Sequence, residues 1–475
     1  MSDDLHWMPA WRLRQLIATR QLSPVEVVEH FLGRAEELDT RLRCYRELDP
    51  AGARAQARQA EQAVRRGDEL GRLHGVPVSI KAHIAVEGLH VYAMFGEPKP
   101  PVLARRDAPI VQRLRAAGAI VMGTNVIPGM GLSHLRDDRG EPTTDLSFHS
   151  RNPWDLTRVP GSSSAGGAAA VAAGVIPIAI GSDGGGSTRL PGAWCGILGL
   201  HPTLGRVPSG GRGTSGWNTT LGPLTRDIRD MAICLQAIAG PHGGTVLSLQ
   251  DDPPDYCAWL DRGVEGSSLA WTGDFGFAGA YAGPESARVI ETVRAGAETW
   301  AALGARVSPT AETWDDWWPH PMTMMNPDGV THQRYQEAED ARQRWWTTLR
   351  RVFASHDLLL SPTSQHVAFD LERWTAAWSS GGTDYPGGSF VPTWTAHTFM
   401  HNWLGWPALS VPCGTVDGLP VGLQITGRPN DEARIFGAAS AFLAARPPAA
   451  PALPVTTRPS SPDRSLAFRP GGGDG

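Results

Sequence analysis

Pro160-Gly161-Ser162-Ser163-Ser164-Ala165-Gly166-Gly167 and, one short apolar segment later, Gly181-Ser182-Asp183-Gly184-Gly185-Gly186-Ser187-Thr188-Arg189 decide how this chain is read. Between them, Ala168 to Gly174 predicts a small-residue helix and Val175 to Ile180 a buried strand, so both serine turns are expected at the same edge of a sheet. The three glycines ahead of Ser187 strip side chains from the backbone. They leave the N–H groups of Gly184, Gly185, Gly186 and Ser187 able to face a developing oxyanion beside a hydroxyl nucleophile.

Outward from the turns, strands alternate with helices. Ser23-Pro24-Val25-Glu26 reads as a helix start, with Ser23 as N-cap and Glu26 closing a capping box. A second helix runs from Ala51 to Arg66, and both are expected on the outside of the main body. Gly75 to Ile80 predicts a strand leading into Lys81, and Ala108 to Ala117 a helix delivering the strand Ala119 to Met122. Leu269-Ala270-Trp271, Leu358-Leu359-Leu360, Ala408 to Val411 and Gly422 to Ile425 read as further strands. Helices are expected near 284–303, 333–353 and 432–445. The pattern predicts an α/β fold: one large α/β/α domain whose central twisted sheet is mixed but mostly parallel and is covered by helices. Its bounds are 1–445, with a helical segment of about 1–66 packed on it, and the Pro- and Gly-rich residues 446–475 are expected to form a disordered tail.

A net charge of −5 gives no excess of cations for phosphate, so neither nucleic acid nor an anionic membrane is an expected partner. No stretch approaches the roughly 18 uncharged apolar residues of a membrane helix, nor does the N-terminus read as a secretory signal. A cytoplasmic protein is expected. Five scattered cysteines with no CxxC pair are read as reduced thiols, without metal or redox roles.

A serine hydroxyl needs a base before it attacks. The run Gly161-Ser162-Ser163-Ser164-Ala165 ends in Ala, so the GxSxG elbow that anchors a Ser-His-Asp triad is missing. Lysine is the other candidate, because burial without a countercharge disfavours the ammonium form. Lys81 suits that role, since it ends an apolar strand and meets no carboxylate before Glu87.

On these residues the chain resembles the amidase signature family of serine hydrolases. Asn152-Pro153-Trp154-Asp155, the segment Cys195 to Val207, and the C-terminal runs Pro407 to Pro412 and Leu419 to Gln424 extend the likeness over about residues 10–445. The resemblance implies a Ser-Ser-Lys triad in which Ser187 attacks the acyl carbon, Ser163 relays the proton from a cis peptide bond, and neutral Lys81 is the final base. Ser163 is selected because it lies 24 positions before Ser187. The backbone of Gly184, Gly185, Gly186 and Ser187 is then the oxyanion hole, and an Asp183–Arg189 ion pair supports the turn. No cofactor or metal is implied; the partner is a small-molecule amide, and a homodimer is compatible with the family. Departures from the pattern are Ala82 in place of Asp, Ala165 in place of Gly, Thr188 in place of an aliphatic residue and His201 in place of Lys.

Ten of the 18 tryptophans fall between Trp314 and Trp406, the stretch expected to wall the acyl pocket. An aromatic or apolar substrate follows if they face it, and a plain core if they do not; Met322, Met324 and Met325 share the ambiguity. The expected reaction is hydrolysis of a non-peptide carboxamide through an acyl-enzyme, with esters or carbamates as side substrates. Alternatives are the glutaminase component of a tRNA-dependent amidotransferase, an acyltransferase using the same triad, and an inactive binding module. A phosphate-binding loop is disfavoured because Gly186 stands where a P-loop has lysine.

Overall fold

The computed structural model describes residues 5–92, 100–127, 145–209, 218–325, 329–380 and 389–451. Thirteen strands occur among them: β1 (Tyr45–Leu48), β2 (Pro77–Lys81), β3 (His90–Val91), β4 (Val102–Leu103), β5 (Ile120–Asn125), β6 (Ile178–Asp183), β7 (Leu198–His201), β8 (Thr220–Thr225), β9 (Ser268–Trp271), β10 (Arg306–Pro309), β11 (Leu358–Pro362), β12 (Ala408–Val416) and β13 (Leu419–Thr426). Eleven form one sheet in the order β1-β5-β2-β6-β8-β7-β12-β13-β11-β9-β10, while β3 and β4 form a separate pair.

The sheet is mixed, as expected, but the expectation that it is mostly parallel is wrong. Only β5-β2-β6 and β11-β9-β10 run parallel; the six remaining junctions are antiparallel. Local sequence does not predict β7 and β8, whose Gly199, Gly222 and Pro223 argue against strands. Packing explains those glycines. A Cβ on Gly199 would overlap Thr188 O, and one on Gly222 would overlap Leu200 O, so both let backbones approach more closely than any other residue allows. The hairpin joining β12 to β13 turns at Asp417-Gly418, both with positive φ (53° and 76°), which is the turn chemistry that Asp-Gly favours.

Helices behave largely as the sequence predicted. Ser23 Oγ accepts from Val25 N–H at 3.0 Å and Glu26 Oε2 accepts from Ser23 N–H at 2.9 Å, closing the capping box. The helix Pro24–Leu42 turns Val27, Val28, Phe31, Ala35 and Leu38 onto Ala53 and Ala57 of the helix Pro50–Arg66 and onto the helix Ala165–Ala172. That last helix presents little but Ala and Gly, so it lies close to the sheet: a Cβ on Gly167 would sit 3.1 Å from Ala179 Cβ. All five cysteines are free thiols, four of them buried. Among the described residues no helix is long and apolar enough to cross a membrane. The expected tail lies outside the described residues from 452 onward.

Candidate active site

Parallel strands β2 and β6 end at the same edge, with Ile80 paired to Ile180. Their C-terminal ends therefore deliver Lys81 beside Ser182 and Asp183, where loops of an α/β sheet usually build sites. The helix Ala165–Ala172 begins directly above, with Ser164 as its N-cap residue. Gly161, at φ 105°, lets the first serine turn approach the second: a Cβ there would be 2.7 Å from Pro191 Cα. The two turns are joined by Ser164 N–H donating to Ser187 O at 3.2 Å, and the Ser162-Ser163 peptide is cis.

Lys81 is fully buried, with Nζ 2.8 Å from Ser163 Oγ, 2.9 Å from Ser164 Oγ, 3.0 Å from Ser182 Oγ and 3.2 Å from Ser182 O. Ser164 Oγ also donates to Ser182 O at 3.2 Å, so toward Lys81 it acts as an acceptor. Burial pushes the Lys81 pKa down to about 7, opposed by the negative charge of Asp183. With Ala82 following it, no carboxylate on the next residue offsets that burial. An amine of this kind is half neutral near pH 7 and holds a lone pair among hydroxyls. Sequence reasoning found Lys81 and Ser163 but missed Ser164 and Ser182 as partners of Nζ. Their serine identity was visible, but which hydroxyls converge on one nitrogen was not.

Asp183 and Arg189 form a bidentate pair, both wholly buried, with Arg189 Nε 3.0 Å from Oδ2 and Nη2 3.0 Å from Oδ1. Burial alone would raise the Asp183 pKa, but the Arg189 guanidinium overrides it and holds the carboxyl well below the usual range. Arg189 donates further to Thr398 O at 2.9 Å and Gln424 Oε1 at 2.8 Å, and to Asn402 Oδ1. Thr188, a departure from the family pattern, places Oγ1 2.8 Å from Asp183 Oδ2 and 2.9 Å from Leu200 O. His201, the other departure in this region, is buried and kept neutral: burial first, then Arg189, push its pKa down to about 3.

The glycine run does not present all its amides alike. Gly186 N–H donates to Asp183 Oδ1 at 2.6 Å and Gly186 is buried, whereas Gly184, Gly185 and Ser187 are partly open. Phe399 packs directly against Gly185: a Cβ there would meet the ring at 3.0 Å, and Trp317 stacks on Phe399 with centroids 4.9 Å apart. Trp314, Trp345 and Trp403 belong to the same buried cluster, and Trp374 and Trp394 to another. Most of the described indoles are thus core, with one aromatic stack reaching the glycine turn at Gly185. The side chains of Met322, Met324, Met325 and Trp378 lie outside the described residues.

The amidase family model matches residues 26–257 and 291–436. The acylamidase of Rhodococcus erythropolis is 31% identical over 94% of this chain and 97% of its own. A glutamyl-tRNA(Gln) amidotransferase component from Moorella thermoacetica is 31% identical over 92% of this chain and 96% of its own. The crystal structure of a bacterial aryl acylamidase of the amidase signature family superimposes with a TM-score of 0.79 at 25% identity, over 94% of this chain and 97% of that one. Sheet, serine turns and sequence likeness agree: this is a hydrolase of amides. The chain belongs to the amidase signature family.

Proposed function

We propose that the chain hydrolyses a small non-peptide carboxamide through Ser187, Ser163 and Lys81, without a cofactor. The observation that carries this reading is the buried amine of Lys81 lying 2.8 Å from Ser163 Oγ. Ser187 Oγ attacks the carbonyl carbon while its proton passes to Ser163 Oγ and that of Ser163 to Nζ. Backbone N–H groups of the glycine run meet the charge that grows on the carbonyl oxygen. Return of the proton through Ser163 to the leaving nitrogen breaks the C–N bond and frees the amine. Water then repeats the sequence on the acyl-Ser187 ester and releases the acid.

The substrate is aromatic or apolar in this proposal. Supporting it are the Trp317–Phe399 stack against Gly185 and the likeness to an acylamidase and an aryl acylamidase. Esters and carbamates of the same acyl groups are side substrates, because they pass through the same acyl-enzyme. One amidase signature domain over residues 1–445 is supported by a sheet whose strands are drawn from Tyr45 to Thr426. A second reading, a glutaminase that serves an amidotransferase, is favoured by the likeness to glutamyl-tRNA(Gln) amidotransferase subunits such as the Moorella relative.

Hydrolysis of anilides, primary amides, esters, carbamates and glutamine by the purified chain and by Ser187→Ala tests both readings. Aryl amide turnover that falls about 10³-fold or more in Ser187→Ala is expected. Turnover of glutamine alone would favour the second reading, and unchanged activity of Ser187→Ala would end the first.

A further inference from the structure

The carbonyl oxygens of the nucleophile turn are each held by a different donor, drawn from three parts of the chain. Gly184 O accepts from Asn218 Nδ2 at 2.8 Å, Gly185 O from Thr398 Oγ1 at 2.7 Å, and Gly186 O from Leu190 N–H at 2.7 Å. Asn218 and Thr398 are both buried, at 1% and 0% exposure. Asn402 ties the start of the turn, with Nδ2 2.8 Å from both Asp183 O and Asp183 Oδ1 and 3.3 Å from Asn218 O. Thr398 is itself anchored, because its carbonyl accepts from Arg189 Nη1.

In a trans peptide the C=O of one residue and the N–H of the next point in opposite directions. Fixing a carbonyl therefore aims the following amide. The bond from Asn218 to Gly184 O turns the Gly185 N–H away from Asn218. The bond from Thr398 to Gly185 O turns the Gly186 N–H away from Thr398, and that amide is found on Asp183 Oδ1. The bond from Leu190 to Gly186 O turns the Ser187 N–H away from the helix Arg189–Cys195. Gly186 is the buried member of the run, while Gly185 and Ser187 keep partial access.

We infer that Asn218 and Thr398 are positioning residues for amide hydrolysis: they lock two peptide planes so that the Gly185 amide joins the Ser187 amide, which Leu190 sets, as oxyanion donors while the Gly186 amide stays on Asp183. The inference rests on Ser187 being the nucleophile. Neither side chain need touch substrate. Both sit far from Ser187 in sequence, and Thr398 belongs to the aromatic C-terminal half that carries Phe399.

The test uses pairs that keep shape and remove or restore one donor: Thr398→Val against Thr398→Ser, and Asn218→Leu against Asn218→Gln. Readouts are kcat and KM on an aryl amide, the second-order rate at which a fluorophosphonate labels Ser187 with loss of fluoride, the pH midpoint of kcat/KM, and Tm. For Thr398→Val the expected result is a fall in kcat and labelling rate of about 10-fold or more, with KM within about 2-fold. The pH midpoint should stay put, since Lys81 is untouched, and Thr398→Ser should recover most of the loss. Asn218→Leu should behave in the same way. Equal losses in Thr398→Val and Thr398→Ser, or losses that follow Tm, would overturn the inference, as would full kcat in either donor-free variant. If Thr398→Val does not fold, the Asn218 pair decides by the same criteria. Ser187→Ala separates the two layers: if it retains labelling or turnover, the nucleophile is wrong, whereas an inert Ser187→Ala beside a fully active, folded Thr398→Val removes only the positioning role.

Discussion

Nζ of Lys81 lies 2.8 Å from Oγ of Ser163, although 82 residues separate them along the chain. One arrives on the end of a parallel strand and the other on the turn before a helix. The contact exists because β2 and β6 run in register and the helix Ala165–Ala172 is small enough to lie close to the sheet. Around the contact, burial and the negative charge of Asp183 act in opposite senses, and burial prevails: the amine loses its proton near pH 7.

The pH profile follows from that. The neutral amine accumulates as pH rises through about 7, so kcat/KM is expected to climb with a midpoint near that value. Lys81→Arg, which cannot deprotonate, should be inactive at every pH. Stability carries the same sign. The folded-state pKa is lowered, so between about 7 and 10.5 the unfolded chain holds a proton that the native protein has released. Wild type should therefore gain stability relative to Lys81→Met as pH rises across that window. Denaturant midpoints of both proteins at pH 6.5, 8 and 9.5 check it, and a constant difference would contradict it.

Arg189→Met leaves the Asp183 carboxylate buried without its guanidinium. The expected cost is about 3–5 kcal/mol in unfolding free energy. Arg189→Lys should recover only part of it, because one ammonium cannot reproduce the fork that reaches Asp183, Thr398 and Gln424. Urea unfolding followed by tryptophan fluorescence measures both.

Gly186→Ala should disable the enzyme even where it folds. The glycine has φ 120°, and a Cβ there would overlap Thr398 Oγ1 and Leu190 Cδ1. The strain alone is on the order of 1–3 kcal/mol, and relieving it moves Thr398 off Gly185 O. Fluorophosphonate labelling of Ser187 should slow by more than the fall in Tm accounts for.

Asp230 gives a stability effect remote from the site. Its carboxylate accepts from Ala10 and Trp11 N–H, each at 2.8 Å, and so caps the helix Ala10–Ala18. Burial, aided by the charge of Asp227, pushes its pKa up to about 7. Between its ordinary value and 7 the native state holds a proton that the unfolded chain lacks, so this group's contribution to stability falls as pH rises through that range. Asp230→Asn cannot ionise, and its stability relative to wild type should rise steadily from pH 4.5 to pH 7.5 in chemical denaturation. A flat difference would refute the shift.

Much of the architecture could be read locally. Capping at Ser23, the apolar strand into Lys81 and the two serine turns depend on neighbours within a few residues. The antiparallel middle of the sheet could not be read that way. Gly199 and Gly222 look like strand breakers until a backbone packs against them, and Pro223 nonetheless pairs with Ile180. The aromatic stretch, which the sequence left open between pocket wall and core, divided because an indole's environment depends on which element lies opposite it: Trp317 stacks on Phe399 beside the glycine turn, while Trp374 packs with Trp194 and Phe390.

The sequence by itself determined the chemical groups and their local geometry: a lysine closing a buried strand, a serine run before a small-residue helix, and a serine after three glycines. Tertiary structure alone decided which hydroxyls surround Nζ and which donors hold each peptide of the glycine run. Asn402 reaches Asp183 across 219 residues and Thr398 reaches Gly185 across 213. Hydrogen bonds at such separations are set by how distant strands and helices pack, and local residue preferences carry no information about that packing.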